Sequence, residues 1–153
     1  MPRSSESPIP SDESAQYQAL FDTATGLPKW ALLLDRTTVA LARARRVNRK
    51  VAVFVLNDVR TFGGALPDLT RFVQTLAGKV RIDDTIARVG ERTFVVVCNN
   101  IGKDKDAALV AQRLVQNTDV ACKLGIALSS ADEDAAALLA AALKESTRTN
   151  PAA

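Results

Sequence analysis

The sequence predicts an α/β domain, a central mixed β-sheet of about five strands flanked by helices, and three observations carry that expectation. Segments with apolar residues at helical spacing alternate along the chain with short apolar runs. The run VAVFVL at 51–56 is apolar without alternation, the pattern of a strand covered on both faces. TIARV at 85–89 and TFVVVC at 93–98 are strand-like runs separated by a short polar stretch with a glycine, which reads as a hairpin.

The elements follow in order. Residues 1–15 are rich in Ser, Pro and Glu and hold little to bury, so a flexible N-terminal tail is expected, with a folded domain over 16–150 and a C-terminal tail at 151–153. Trp30, Leu33, Leu34, Leu41 and Ala44 mark a helix from about Pro28 to Val47, with Pro28 suited to its first turn. Arg43, Arg45, Arg46, Arg49 and Lys50 crowd its end, where cations offset the negative helix pole; a phosphate-facing patch is the alternative. After the strand at 51–56, Gly63-Gly64 reads as a turn, and Asp68 as the N-cap of a helix marked by Leu69, Phe72, Val73, Leu76 and Val80. The hairpin comes next, with Gly90-Glu91 at its turn. A helix over Ala107–Val115, a strand over Val120–Leu128 and a helix from Ala135 to about Glu145 complete the chain.

The 153 residues, 47% of them hydrophobic, suffice for one domain with a substantial core. Lys and Arg exceed Asp and Glu by 20 to 17, a net charge of +3. Such a mild excess permits an anionic ligand without pointing to nucleic acid. No apolar run approaches the roughly 20 residues that span a bilayer, so membrane insertion is not expected. The N-terminus lacks a signal-peptide core. Cys98 and Cys122 lie in apolar surroundings, which suits buried reduced thiols in a cytoplasmic protein. The absence of histidine excludes His-based triads, bases and metal ligands.

Five motifs in order then carry a family resemblance. FDTATGLPKW resembles the D-x-L-T-G-L-x-N-R opening of the GGDEF domain, the catalytic domain of diguanylate cyclases. VFVLNDVRTF is similar to its metal-binding strand end, RIDDTIARVGERTF to its R-x-x-D and signature hairpin, ACKLGIAL to its S-I-G-I-A strand, and LKESTRTN to its A-K-x-x-G-R-N ending. The resemblance runs from about Phe21 to Asn150 and implies a nucleotide-cyclase-like fold with a ferredoxin-like βαββαβ core.

Departures from the family pattern imply a degenerate domain. Against the signature, Gly90-Glu91-Arg92-Thr93-Phe94 keeps only Gly90 and Phe94, and Arg92 stands in a carboxylate's place. Of the two strand-end aspartates Asp58 is kept, and Arg60 replaces the other. Magnesium favours carboxylate oxygens. A like charge at ~4 Å repels by about 4 kcal/mol at an effective dielectric of 20, so no metal and no other cofactor is expected. The segment FGGALPDL is shorter than the family's guanine-reading stretch and lacks its Asn-Asp pair. Phosphoryl transfer rests on metal and positioning, so the domain is expected not to be an enzyme.

The resemblance implies what remains. Arg81 and Asp84 form an R-x-x-D placed where the family binds its product, cyclic di-GMP, and Arg113 falls where a further arginine joins that site. The alternative is a surface ion pair with a cap at the start of the strand. Asp58 is expected to pair with Arg92 and Arg60 as a plug of the old metal site. Lys144 and Arg148, four apart, match the family's phosphate-binding pair and leave room for residual triphosphate affinity. Trp30 is expected to pack in the core or at an edge, and to mark a partner surface if exposed. The expectation is a cytoplasmic, non-catalytic signalling domain that binds cyclic di-GMP and acts on a protein partner, with a homodimer compatible. A scaffold module with no nucleotide ligand is the alternative.

Overall fold

The computed structural model describes residues 12–116 and 118–148. Nine elements follow one another: α1 (Asp12–Leu20), α2 (Trp30–Arg46), β1 (Lys50–Thr61), α3 (Leu69–Ala77), β2 (Thr85–Gly90), β3 (Thr93–Ile101), α4 (Asp104–Val115), β4 (Val120–Leu128) and α5 (Ala135–Arg148). α1 takes in the last four residues of the predicted tail; residues 1–11 and 149–153 lie outside the described residues.

Among the described residues the sheet has four strands in the order β2-β3-β1-β4, and every neighbouring pair is antiparallel. This corrects the expectation of a mixed sheet of about five strands. α3 carries the chain from β1 to β2 but leaves a gap one strand wide, which β3 fills by turning back. α4 likewise carries β3 to β4 around β1. Strands joined through a helix are therefore parallel yet never adjacent, as the expected βαββαβ core requires.

Strand alternation divides the core between two faces. Val51, Val53 and Val55 meet Leu33, Leu41, Leu138 and Leu139 of α2 and α5. Phe54 and Leu56 meet Phe72, Leu76 and Leu114 of α3 and α4. Each such side chain, once fully buried, contributes roughly 1.5–3 kcal/mol. The rings of Phe72 and Phe94 meet edge-on at 4.8 Å.

Several boundaries shift for local reasons. Pro28 lies before α2, bridged to Phe21, and Lys29 is the N-cap. Asp68 caps α3 as predicted, accepting from the Arg71 N–H at 3.2 Å. That helix stops at Ala77 because Gly78 ends it, so Val80 packs from the loop. α4 starts three residues early because Asp106 reaches back to the Lys103 N–H at 3.1 Å. β1 continues past the apolar run through a bulge between Asn57 and Arg60, which carries the site residues Asp58 and Arg60 within the strand.

Candidate ligand-binding cavity at the Arg81–Asp84 loop

The loop before β2 is held by one carboxylate. Asp84 accepts from the Arg81 backbone N–H at 2.9 Å and, through its other oxygen, from the Asn99 N–H at 3.1 Å. The Asp84 N–H returns to the Arg81 carbonyl at 3.1 Å, and the Asn99 amide donates to the Asp83 carbonyl at 2.6 Å. The loop is thereby fastened to the end of β3, and α4 packs across it. Between them lies a surface cavity of about 200 Å³ whose lining includes Arg81, Asp84 and Arg113, the three residues singled out from the sequence. Arg49, Lys79, Cys98 and Asn99 also line it.

The cavity is basic and its cations are spoken for by carbonyls, if at all. Lys79 donates to the carbonyls of Gln116 and Leu114 at 2.6 and 3.3 Å, and burial lowers its pKa. Arg113 reaches the Lys79 carbonyl at 3.4 Å. The Arg81 guanidinium has no hydrogen-bond or ion-pair partner among the described residues; of the alternative reading, the cap at the start of the strand is present in the Asp84 bonds, and the ion pair is not made because Asp84 meets the Arg81 backbone. At the floor, burial pushes the Cys98 thiol up to about 12, with the Asp84 charge and a hydrogen bond to it adding to the rise. Both cysteines are free, as expected.

The signature hairpin is tighter than predicted. Gly90 pairs with Thr93, so the turn is Glu91-Arg92 and Gly90 ends β2. The Val59 N–H donates to the Arg92 carbonyl at 2.9 Å, locking this turn to the bulge of β1. Asp58 sits in the left-handed region there, φ 55, and its carboxylate lies 2.8 Å from Arg60. The predicted ion pair with Arg92 is not made. Backbone pairing at Val59 leaves the Arg92 guanidinium folded back on the Val59 carbonyl at 3.2 Å, with Glu91 at 3.8 Å.

Gly90 and Glu91 line a second cavity, about 440 Å³, with Asp22, Lys29, Trp30 and Arg88. Arg88 and Asp22 form its half-buried ion pair at 3.1 Å, and Arg88 also donates to the Glu91 carbonyl at 2.7 Å. Burial raises the Asp22 carboxyl, but hydrogen bonds from Thr25 and Arg88 and the Arg88 charge outweigh it and hold its pKa below the usual range. Trp30 stands 38% exposed on the rim. Asp58 and Arg60 lie outside this lining. Lys144 and Arg148 are exposed on α5, also outside it, with Arg148 at 4.0 Å from Glu145.

A split antiparallel sheet with two helices on each face defines a ferredoxin-like α/β domain, with a basic cavity between the loop before its hairpin and the helix after it. Residues 19–148 match the family described as the diguanylate cyclase GGDEF domain, and the chain belongs to that family. It is similar to the bifunctional diguanylate cyclase/cyclic di-GMP phosphodiesterase MucR of Pseudomonas aeruginosa, 32% identical over 135 residues, covering 74% of this chain and 19% of that protein. The chain thus spans about a fifth of that relative's length. A sensory box/GGDEF family protein from Caulobacter crescentus shares the fold with a TM-score of 0.73 at 25% identity, over 88% of this chain and 100% of that one. A microbial GGDEF domain described for a novel interaction mode with bis-(3,5)-cyclic di-GMP superposes with a TM-score of 0.71 at 21% identity, over 88% and 92% of the two chains. No described helix is long and apolar enough to cross a membrane.

Proposed function

We propose that this chain is a non-catalytic GGDEF-family domain that binds cyclic di-GMP at the Arg81–Asp84 loop and passes that occupancy to a protein partner. The observation that carries the reading is the convergence of Arg81, Asp84 and Arg113 on one cavity, with the Arg81 guanidinium uncommitted. A guanidinium takes a phosphate or a guanine edge through paired N–H groups. Asp84 accepts two backbone bonds and the Cys98 thiol, which leaves one lone pair for a guanine N–H donor. At about 200 Å³ the cavity is smaller than the ~300–1,000 Å³ of sites that enclose a drug-sized ligand, so it seats one end of the dinucleotide.

Loss of catalysis is supported at the hairpin. The family's chemistry needs a magnesium ion, and the residues present do not fit one. Asp58 is ion-paired with Arg60 at 2.8 Å, and the Arg92 guanidinium occupies the neighbouring Val59 carbonyl. A calorimetric titration with cyclic di-GMP tests the binding half of the reading. Micromolar or tighter affinity, about −8 kcal/mol, is expected for the natural chain and no heat for Arg81→Ala. Equal binding by Arg81→Ala refutes the site, and any cyclic di-GMP formed from GTP and magnesium refutes the loss of catalysis.

A further inference from the structure

The cavity at the Arg81–Asp84 loop has a member that neither the R-x-x-D pattern nor the helix beyond it announces. Arg49 reaches it from the turn between α2 and β1. Its side chain is exposed but not loose: Nε donates to the Asn100 side-chain oxygen at 2.8 Å and Nη2 to the Asn100 carbonyl at 2.9 Å. Asn100 presents both acceptors from a left-handed backbone, φ 61. The guanidinium lies against Gly102, where an added Cβ would stand 2.8 Å from Nη1. Two N–H groups hold the fork in place, and three remain for a ligand.

Charge balance supplies the second observation. Four cations line the cavity (Arg49, Lys79, Arg81 and Arg113), and none of them forms an ion pair among the described residues. Asp84 and Asp106 also line it, and both carboxylates accept backbone N–H groups. The cavity therefore carries unneutralised positive charge, with its most rigidly held guanidinium at one edge.

We infer that Arg49 is a further ligand-contacting residue of this cavity, a pre-positioned guanidinium that takes a phosphate oxygen of the ligand. Fixing the fork in advance removes much of the rotamer entropy that a free arginine loses on binding. The inference rests on the reading of this cavity as a ligand site, and concerns the anionic part of the ligand alone.

The test uses inorganic pyrophosphate as the probe and the arginine Nε–H signals in heteronuclear NMR spectra of the full chain as the readout. Saturable shifts are expected for Arg49, Arg81 and Arg113, and none on adding sodium chloride to the same ionic strength. Arg49→Gln, which keeps a donor for Asn100 but loses the charge, is expected to weaken pyrophosphate about tenfold at low salt, the order of one charge-assisted hydrogen bond. That gap should narrow at roughly 0.3 M salt, because a direct charge contact is screened and a propping role is not. Gly102→Ala keeps the charge but displaces the fork, and should fall between the two. Pyrophosphate affinity within twofold of the natural chain for Arg49→Gln, or a gap indifferent to salt, overturns the inference. Saturable pyrophosphate shifts that cyclic di-GMP fails to displace would remove the dinucleotide reading and leave Arg49 standing. Absence of any saturable shift removes the Arg49 contact even if cyclic di-GMP binds through Arg81.

Discussion

At Gly125 the backbones of β4 and α5 approach closely. This glycine pairs with Val55 in the sheet centre, and a Cβ added to it would lie 2.3 Å from the Ala142 carbonyl oxygen, 2.4 Å from the Ser146 nitrogen and 2.8 Å from the Ser146 Cα. Ordinary contacts between heavy atoms fall near 3.5 Å, so Gly125→Ala forces helix and strand apart by about 1 Å. The obstructing atoms are backbone, so no rotamer change relieves them. Leu138, Leu139 and Ala142 are fully buried on the same helix, and a radial gap of 0.5–1 Å forfeits about a quarter to a half of each contact's attraction. Overpacking of this kind costs about 1–3 kcal/mol, and the upper end applies here. The strand gains about 0.5–1 kcal/mol from replacing glycine, leaving a net loss of roughly 2 kcal/mol. At about 2–4 °C per kcal/mol for a chain of this size, Tm should fall by roughly 4–8 °C. Thermal and urea unfolding followed by circular dichroism measures it, with Gly63→Ala as control, since a Cβ there meets only the Thr61 hydroxyl at 3.8 Å. A Tm for Gly125→Ala within about 2 °C of the natural chain would refute the close approach.

Three other outcomes follow from the same geometry. Asp84→Ala removes the acceptor for two backbone N–H groups and should cost about 2 kcal/mol in urea unfolding, whereas Arg81→Ala should be neutral in stability; equal losses would contradict the described loop. The folded Asp22 carboxyl lies below its ordinary 3.8, so it contributes stability above that pH and loses it as the pH falls through the lower folded value. Asp22→Asn should therefore flatten the stability profile below about pH 4, and an unchanged acid limb would disprove the contribution. With their thiols raised from 9.0 to about 12 and about 11, Cys98 and Cys122 should react with iodoacetamide at pH 8 roughly 100- to 1,000-fold more slowly in the native chain than in urea; comparable rates would show them exposed.

Element types were legible wherever a local pattern has one physical reading. The unalternating run at 51–56 had to be covered on both faces, and α2 and α5 on one side with α3 and α4 on the other cover it. Asp68 was legible as a cap because an N-cap is a short-range bond. Boundaries moved where a bond unseen in the local pattern decided them, as when Asp106 reached back to start α4 early. α1 was missed because it buries no residue and carries no periodic apolar face. The Asp58–Arg92 pair failed for a related reason. Both residues lie where family position placed them, but side-chain direction there is decided by a bulge and by the Val59–Arg92 backbone bond.

The sequence by itself made legible the helices and strands from α2 to α5, the family, and Arg81, Asp84 and Arg113 as candidates, because motif order and hydrophobic period are one-dimensional properties of the chain. Only the tertiary structure decided that those three share a cavity, that Asp84 binds the backbone rather than the guanidinium of Arg81, and that Arg49 joins them from 32 positions upstream. The physical reason is that a site is a matter of direction as well as position. Where a side chain points depends on a bulge, a left-handed asparagine or a glycine that leaves room, and each acts on residues distant in sequence.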